Sequence, residues 1–300
     1  MIGAARARPD WERDGADWPN RGNSRFVTAG GLTWHVQTLG AGPVLLLLHG
    51  TGASTHSWRA LAPILARDFS VIAPDLPGHG FTGAPAPHLQ SLPGMARAIG
   101  ALLHLLDARP AIAVGHSAGA AILARMCIDA TIAPAALVSL NGAMLPMRGV
   151  PGQFFSPVAK LLAALPPVPA MVARRAADAS VIERLIRETG SALEPEGLAL
   201  YRRLARSPGH VAGTLAMMAH WDLRPLARDL PRLKAKLTLV TGSNDRTIPP
   251  VDAQRIRSLL PDAARVSLPG LGHLAHEERP EEVAAIVVAA ARAARVLAES

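Results

Sequence analysis

The chain has 300 residues, the size of one large α/β unit and long enough to bury a sizeable core. With 49% apolar and 4% aromatic residues, it is not a disordered chain. Its formal charge of +8 comes mostly from arginines scattered among acids, which excludes a basic tail for nucleic acid and leaves room for a loose attraction to anionic membranes or carboxylates.

The opening stretch "MIGAARARPDWERDGADWPN" carries no apolar segment of the secretory kind. Later apolar runs are broken by Gly, Pro or charge before the roughly 18 to 20 residues of a membrane span, so the chain reads as soluble and cytoplasmic. "SRFVTA" and "LTWHVQTL" flank Gly30-Gly31 and predict an antiparallel hairpin. "PVLLLLHG", "FSVIAPDL", "AIAVGHS" and "AALVSLNG" are short apolar runs of the kind buried on both faces of a parallel sheet, with helical patterns between them. From 144 to 222 no strand-like run appears. Helical segments take over, among them "ASVIERLIRETG", where Ser180 and Glu183 are spaced as a capping box and Gly190 stops the helix. Strand and helix alternate again from "KLTLVTGSND" through "ARVSLPG" to a final helix from about Glu281. The expected organisation is an α/β core of 1–143 and 223–300, with a helical cap of 144–222 inserted after the sixth strand. The lone Cys127 excludes an internal disulfide and reads as a small core residue.

Gly115-His116-Ser117-Ala118-Gly119 fits G-x-S-x-G between a strand and a helix. Glycines on either side of the serine permit a turn sharp enough to expose its hydroxyl. A serine hydroxyl needs a base within hydrogen-bond reach, and that base needs a third group to orient it. Asp245, after "LTLVTG", and His273, in "LPGLGHLAHEERP", supply both in the order acid then histidine. Asp222 and Asn141 are alternative third members, and Asn141 cannot offset the imidazolium charge. The backbone N–H groups of Thr51 and Ala118 are the candidate oxyanion donors. His49 reads as a loop tie and His79 as part of the site's mouth. His276, three residues after His273, pairs with no cluster of metal-ligand spacing, so no metal and no cofactor are expected.

With these elements in place the chain resembles the α/β-hydrolase superfamily over nearly its whole length. "DGADWPNRGNSRFV", "VIAPDLPGHGFT", "SLPGMARA", "VGHSAGAAILARM" and "MMAHWDL" carry the resemblance further, to the BchO-type magnesium chelatase accessory proteins of bacteriochlorophyll biosynthesis. That resemblance implies a role near magnesium insertion, with chelatase subunits as partners. There is no G-x-x-x-x-G-K-[ST] loop, so the chain is not itself the ATP-driving subunit. The expected activity is a serine esterase with a hydrophobic ester or tetrapyrrole as substrate. The rival is a non-catalytic porphyrin-binding or chelatase-assisting protein of the same fold. Phe154, Phe155, Met171, Met217, Met218 and Trp221 are candidate pocket residues, Arg174, Arg175, Arg202 and Arg203 candidate partners for propionates, and His220 a candidate magnesium ligand.

Overall fold

The computed structural model describes residues 8–146, 165, 167–176 and 178–298. Eight strands form one sheet: β1 (Ser24–Ala29), β2 (Leu32–Leu39), β3 (Val44–Leu48), β4 (Ser70–Pro74), β5 (Ile112–His116), β6 (Ala136–Leu140), β7 (Lys236–Gly242) and β8 (Ala264–Leu268). Their spatial order is β1-β2-β4-β3-β5-β6-β7-β8. The β1–β2 hairpin is antiparallel, β2 joins β4 antiparallel, and the remaining pairs are parallel. This is the α/β-hydrolase fold, with the antiparallel strands at one edge as expected.

The apolar runs make strands because both faces are covered. Along β3, Leu45 and Leu47 enter one apolar cluster and Leu46 and Leu48 the other, since successive side chains of a strand point to opposite faces. Each of these four is fully buried, worth about 1.5–3 kcal/mol apiece. One cluster is closed by helices α1 (Leu92–Leu105) and α2 (Ala118–Ile128), the other by the helix Leu61–Leu65 and the last helix, Pro280–Ala293. Helix α2 is rich in Ala and lies close to the sheet; a Cβ on its one glycine, Gly119, would run into the Leu48 carbonyl oxygen.

The described residues between β6 and β7 are helical: α3 (Pro167–Arg175), α4 (Ala179–Glu188), α5 (Pro195–Ala205), α6 (Pro208–Ala219) and α7 (Arg224–Asp229). Helix α4 starts one residue before Ser180. Its N-cap is Asp178, whose carboxylate accepts from the Ser180 N–H at 2.9 Å, so the capping box expected from Ser180 and Glu183 does not form. An aspartate two residues upstream satisfies the same orphan donor. Gly190 follows the helix at φ 87°, as a C-terminal stop requires.

The N-terminal residues form a strap across the molecule. Arg8 donates to the carbonyl oxygens of His79, Gly80 and Thr82. Trp18 donates to Thr55 Oγ1 at 3.1 Å and packs with Phe81, Leu200 and Leu204. Arg203 of α5 reaches back to the Asp14 carbonyl at 2.7 Å and to the Asp17 carboxylate. The strap thereby joins the loop after β4 to α5.

Candidate active site

Ser117 follows β5 and precedes α2. Its φ is 51° and ψ −117°, a conformation costly for a residue with a side chain and held here by the packing around it. Gly115 and Gly119 permit the turn: a Cβ on Gly115 would collide with the Ala120 backbone, and one on Gly119 with the backbone at the end of β3. Gly50, at the end of β3, lies so close that a Cβ there would stand 3.0 Å from the Ser117 Cβ. Ser117 Oγ takes part in none of the hydrogen bonds among the described residues, and it lines a cavity of about 310 Å³ together with Thr51, Ala118 and His273. Catalytic hydrogen bonds in ligand-free enzymes are often loose and tighten only with substrate.

His273 lies in the loop after β8, and its Nδ1 is 2.9 Å from Asp245 Oδ2. Both side chains are nearly buried. The other Asp245 oxygen, Oδ1, accepts from the backbone N–H groups of Thr247 (2.8 Å) and Ile248 (2.9 Å). The carboxylate is therefore fixed in rotation, and the imidazole presents Nδ1–H to it. The loop is fixed in turn by Asn141, whose Nδ2 donates to the carbonyls of Gly272 (2.7 Å) and His273 (2.8 Å) and whose Oδ1 accepts from Gly242 N–H (2.8 Å). His116 Nε2 donates to the same His273 carbonyl at 2.9 Å. Asn141 thus touches the backbone of the histidine loop and not the ring, while Asp222 pairs with Arg224. Neither occupies the third position.

His276 is buried against Trp58 and His116, and burial pushes its pKa down to about 3. It remains a neutral ring behind His273. Among the described residues no group of three or more His, Cys, Asp or Glu could hold a metal ion. His49 is a loop tie: its Nδ1–H donates to Gly50 O (2.8 Å) and its Nε2 accepts from Leu76 N–H (2.9 Å). His79 is fully buried and does not line the cavity. Cys127 is half-buried, and burial pushes its thiol up to about 12, which makes it inert.

Met218 and Trp221 line the cavity, with Ile186, Thr189, Tyr201 and Thr214 from the inserted helices. Phe154 and Phe155 lie outside the described residues. Met217 is buried beneath the wall, Met171 is exposed, and His220 is exposed with its Nδ1 on the Ala216 carbonyl. Among the described residues no arginine lines the cavity. Arg203 belongs to the strap contact, and Arg174 and Arg175 stand exposed at the end of α3.

Three features escaped the sequence. Tyr201, a cavity wall, donates to Glu277 Oε1 at 2.7 Å, and Glu277 is also bound by Arg59. Burial, with Glu277 alongside, holds the Tyr201 phenol well above its ordinary pKa, so it stays protonated. His210 of α6 bridges two core loops, accepting from Gly80 N–H (3.0 Å) and donating to Gly52 O (3.1 Å). A second relay runs from Ser24 Oγ to His35 Nε2 (3.0 Å) and from His35 Nδ1 to Asp75 Oδ2 (2.9 Å). Burial works to raise the Asp75 pKa, but the His35 imidazole and the Phe81 N–H overcome it and hold the group ionised. Ser24, at the start of β1, lines none of the cavities described and has no elbow. A recess of about 680 Å³ at the opposite end of β5, lined by His104, Asp107 and Arg109, is larger than the Ser117 cavity but has no serine among its described lining residues, so volume does not mark the site.

The α/β hydrolase family model matches residues 45–286. The "Magnesium-chelatase 30 kDa subunit" of Rhodobacter capsulatus is 38% identical over 91% of this chain and 96% of its own length. Among solved structures, an alpha/beta hydrolase fold protein from Burkholderia ambifaria superposes with a TM-score of 0.75 at 27% identity, over 88% of this chain and 97% of that one. A serine hydrolase involved in carbazole degradation shares the fold with a TM-score of 0.73 at 22% identity, over 90% and 98% of the two chains. The chain belongs to the alpha/beta hydrolase family and, within it, to the group of the BchO-type accessory proteins.

Proposed function

We propose that the protein is a cytoplasmic serine hydrolase acting on a hydrophobic carboxylic ester, accessory to the magnesium-insertion stage of bacteriochlorophyll synthesis. The observation that carries this reading is the strained Ser117 in one cavity with His273, whose Nδ1 lies 2.9 Å from the buried Asp245 carboxylate. Ser117 Oγ attacks the ester carbonyl carbon while His273 Nε2 takes its proton. Asp245 keeps the proton on Nδ1 and offsets the charge of the imidazolium. The backbone N–H groups of Thr51 and Ala118 hold the oxyanion. His273 then protonates the departing alcohol and, in the second half, activates the water that releases the acyl group. The core segments 1–143 and 223–300 carry these groups, and the inserted 144–222 acts as the cap that selects the substrate.

A fluorophosphonate probe tests the chemistry. Wild-type protein should be labelled at Ser117, and Ser117→Ala should lose that adduct while keeping its fold; absence of any adduct on folded wild type overturns the reading. A second reading, a chelatase-assisting or tetrapyrrole-binding protein with an idle serine, draws on the similarity to the Rhodobacter capsulatus protein. Full restoration of pigment by Ser117→Ala in a deletion strain would favour it.

A further inference from the structure

The cavity around Ser117 measures about 310 Å³, at the lower end of small-molecule sites. At the roughly 30 Å³ that a water molecule occupies in the liquid, it has room for about ten non-hydrogen atoms. Among the described residues, none of those lining it is Asp, Glu, Lys or Arg. Most of the wall hydroxyls are already committed within the protein. Thr51 Oγ1 donates to Met217 Sδ (3.6 Å), Thr189 Oγ1 to Ile186 O (2.6 Å), Thr214 Oγ1 to His210 O (3.0 Å) and the Tyr201 hydroxyl to Glu277 (2.7 Å). Of the lining threonines, Thr247 alone has no such bond among the described residues. What the walls offer a ligand is mostly methyl, ring and thioether surface, with polar groups concentrated at Ser117, His273 and Thr247.

Given the ester-hydrolase reading, we infer that the site takes a compact, uncharged hydrocarbon acyl group of about six to eight carbons. Neither a carboxylate-bearing chain nor a tetrapyrrole ring enters it. A carboxylate moved into this cavity loses its water and meets no cation among the described residues, a cost that shows directly in kcat/KM. A macrocyclic ester is cleaved only where a side-arm ester reaches Ser117 with the ring left outside.

The test is a series of 4-nitrophenyl esters from acetyl to dodecanoyl, with the glutaryl hemiester as the charged counterpart of pentanoyl. kcat/KM rises about fourfold per methylene while each added carbon finds apolar wall. It peaks between hexanoyl and octanoyl and falls at dodecanoyl, and the glutaryl ester lies about a hundredfold below pentanoyl. A dodecanoyl ester turned over as well as hexanoyl, or a glutaryl ester within about threefold of pentanoyl, overturns the inference and leaves the hydrolase intact. Binding is read independently in Ser117→Ala by thermal shift with hexananilide, adipic monoanilide and protoporphyrin dimethyl ester. Only the first should raise Tm, and a shift with either of the others that hexananilide competes away overturns the inference. If no ester is turned over and this binding pattern still holds, the hydrolase reading falls and the size and charge selection stands.

Discussion

Asp245 uses its two oxygens for different purposes. Oδ1 is held by two backbone N–H groups, so only Oδ2 is left for His273. An asparagine here must turn its carbonyl oxygen to the backbone donors and its NH2 to the ring, which forces the proton off Nδ1 and onto Nε2, where the base is needed. Asp245→Asn should therefore lower kcat by about 10⁴-fold with little change in thermal stability. Ester hydrolysis and a melting curve on the same preparation check this, and retained activity would remove Asp245 from the mechanism. At this scale the sequence was informative about which side chains come together and silent about what supports them. The G-x-S-x-G pattern, the late acid and the last histidine are local signals. The role of Asn141 depends on two loops that are distant in sequence meeting at its amide.

Elements differ in how clearly the sequence announces them. The strands β3 to β7 are legible because burial on both faces removes polar residues from each run. The helices between β6 and β7 are legible as helical but not as separate pieces, since Pro and Gly punctuate that stretch throughout and the true cap, Asp178, competes with a nearby serine. The strap was visible only as an unusual Trp-containing segment. Its contact with α5 combines one buried ring, Trp18 at 2% exposure, and one surface ion pair, Arg203 with Asp17. The ion pair is exposed and contributes at most about 1 kcal/mol, whereas truncating a buried aromatic costs about 3–5 kcal/mol. Trp18→Ala should thus lower stability far more than Asp17→Ala, and should loosen α5, which carries the Tyr201 wall. Urea unfolding of the two variants compares them, and equal midpoints would contradict the packing argument.

At the scale of the whole molecule, buried neutral histidines govern behaviour in acid. Burial lowers the pKa of His276 to about 3 and that of His210 to about 4, and it also lowers those of His49, His56, His79 and His116. In the unfolded chain these rings titrate near 6.5. Between that value and the folded one the unfolded state binds more protons, so stability is full above about pH 6.5 and declines as pH falls toward 4, by about 1.4 kcal/mol per pH unit for each such group. Melting curves from pH 7.5 to 4 should show a steep drop, and a flat profile would mean that these rings are not held neutral. The fold class was readable because alternating apolar runs and helices allow few topologies. The polarity of the cavity wall was not, because it depends on which way Thr51, Thr189 and Thr214 turn their hydroxyls.

The Ser24, His35 and Asp75 relay has a practical meaning for any covalent profiling of this protein. Its serine is hydrogen-bonded to an imidazole as a base-activated alcohol would be, with a carboxylate on the far nitrogen. A small sulfonylating or phosphonylating reagent that reaches the β1 edge meets there a second candidate alcohol besides Ser117. Stoichiometry alone then misleads, and the identity of the modified peptide decides whether the reagent has reported the turn after β5 or the polar knot beneath Trp11.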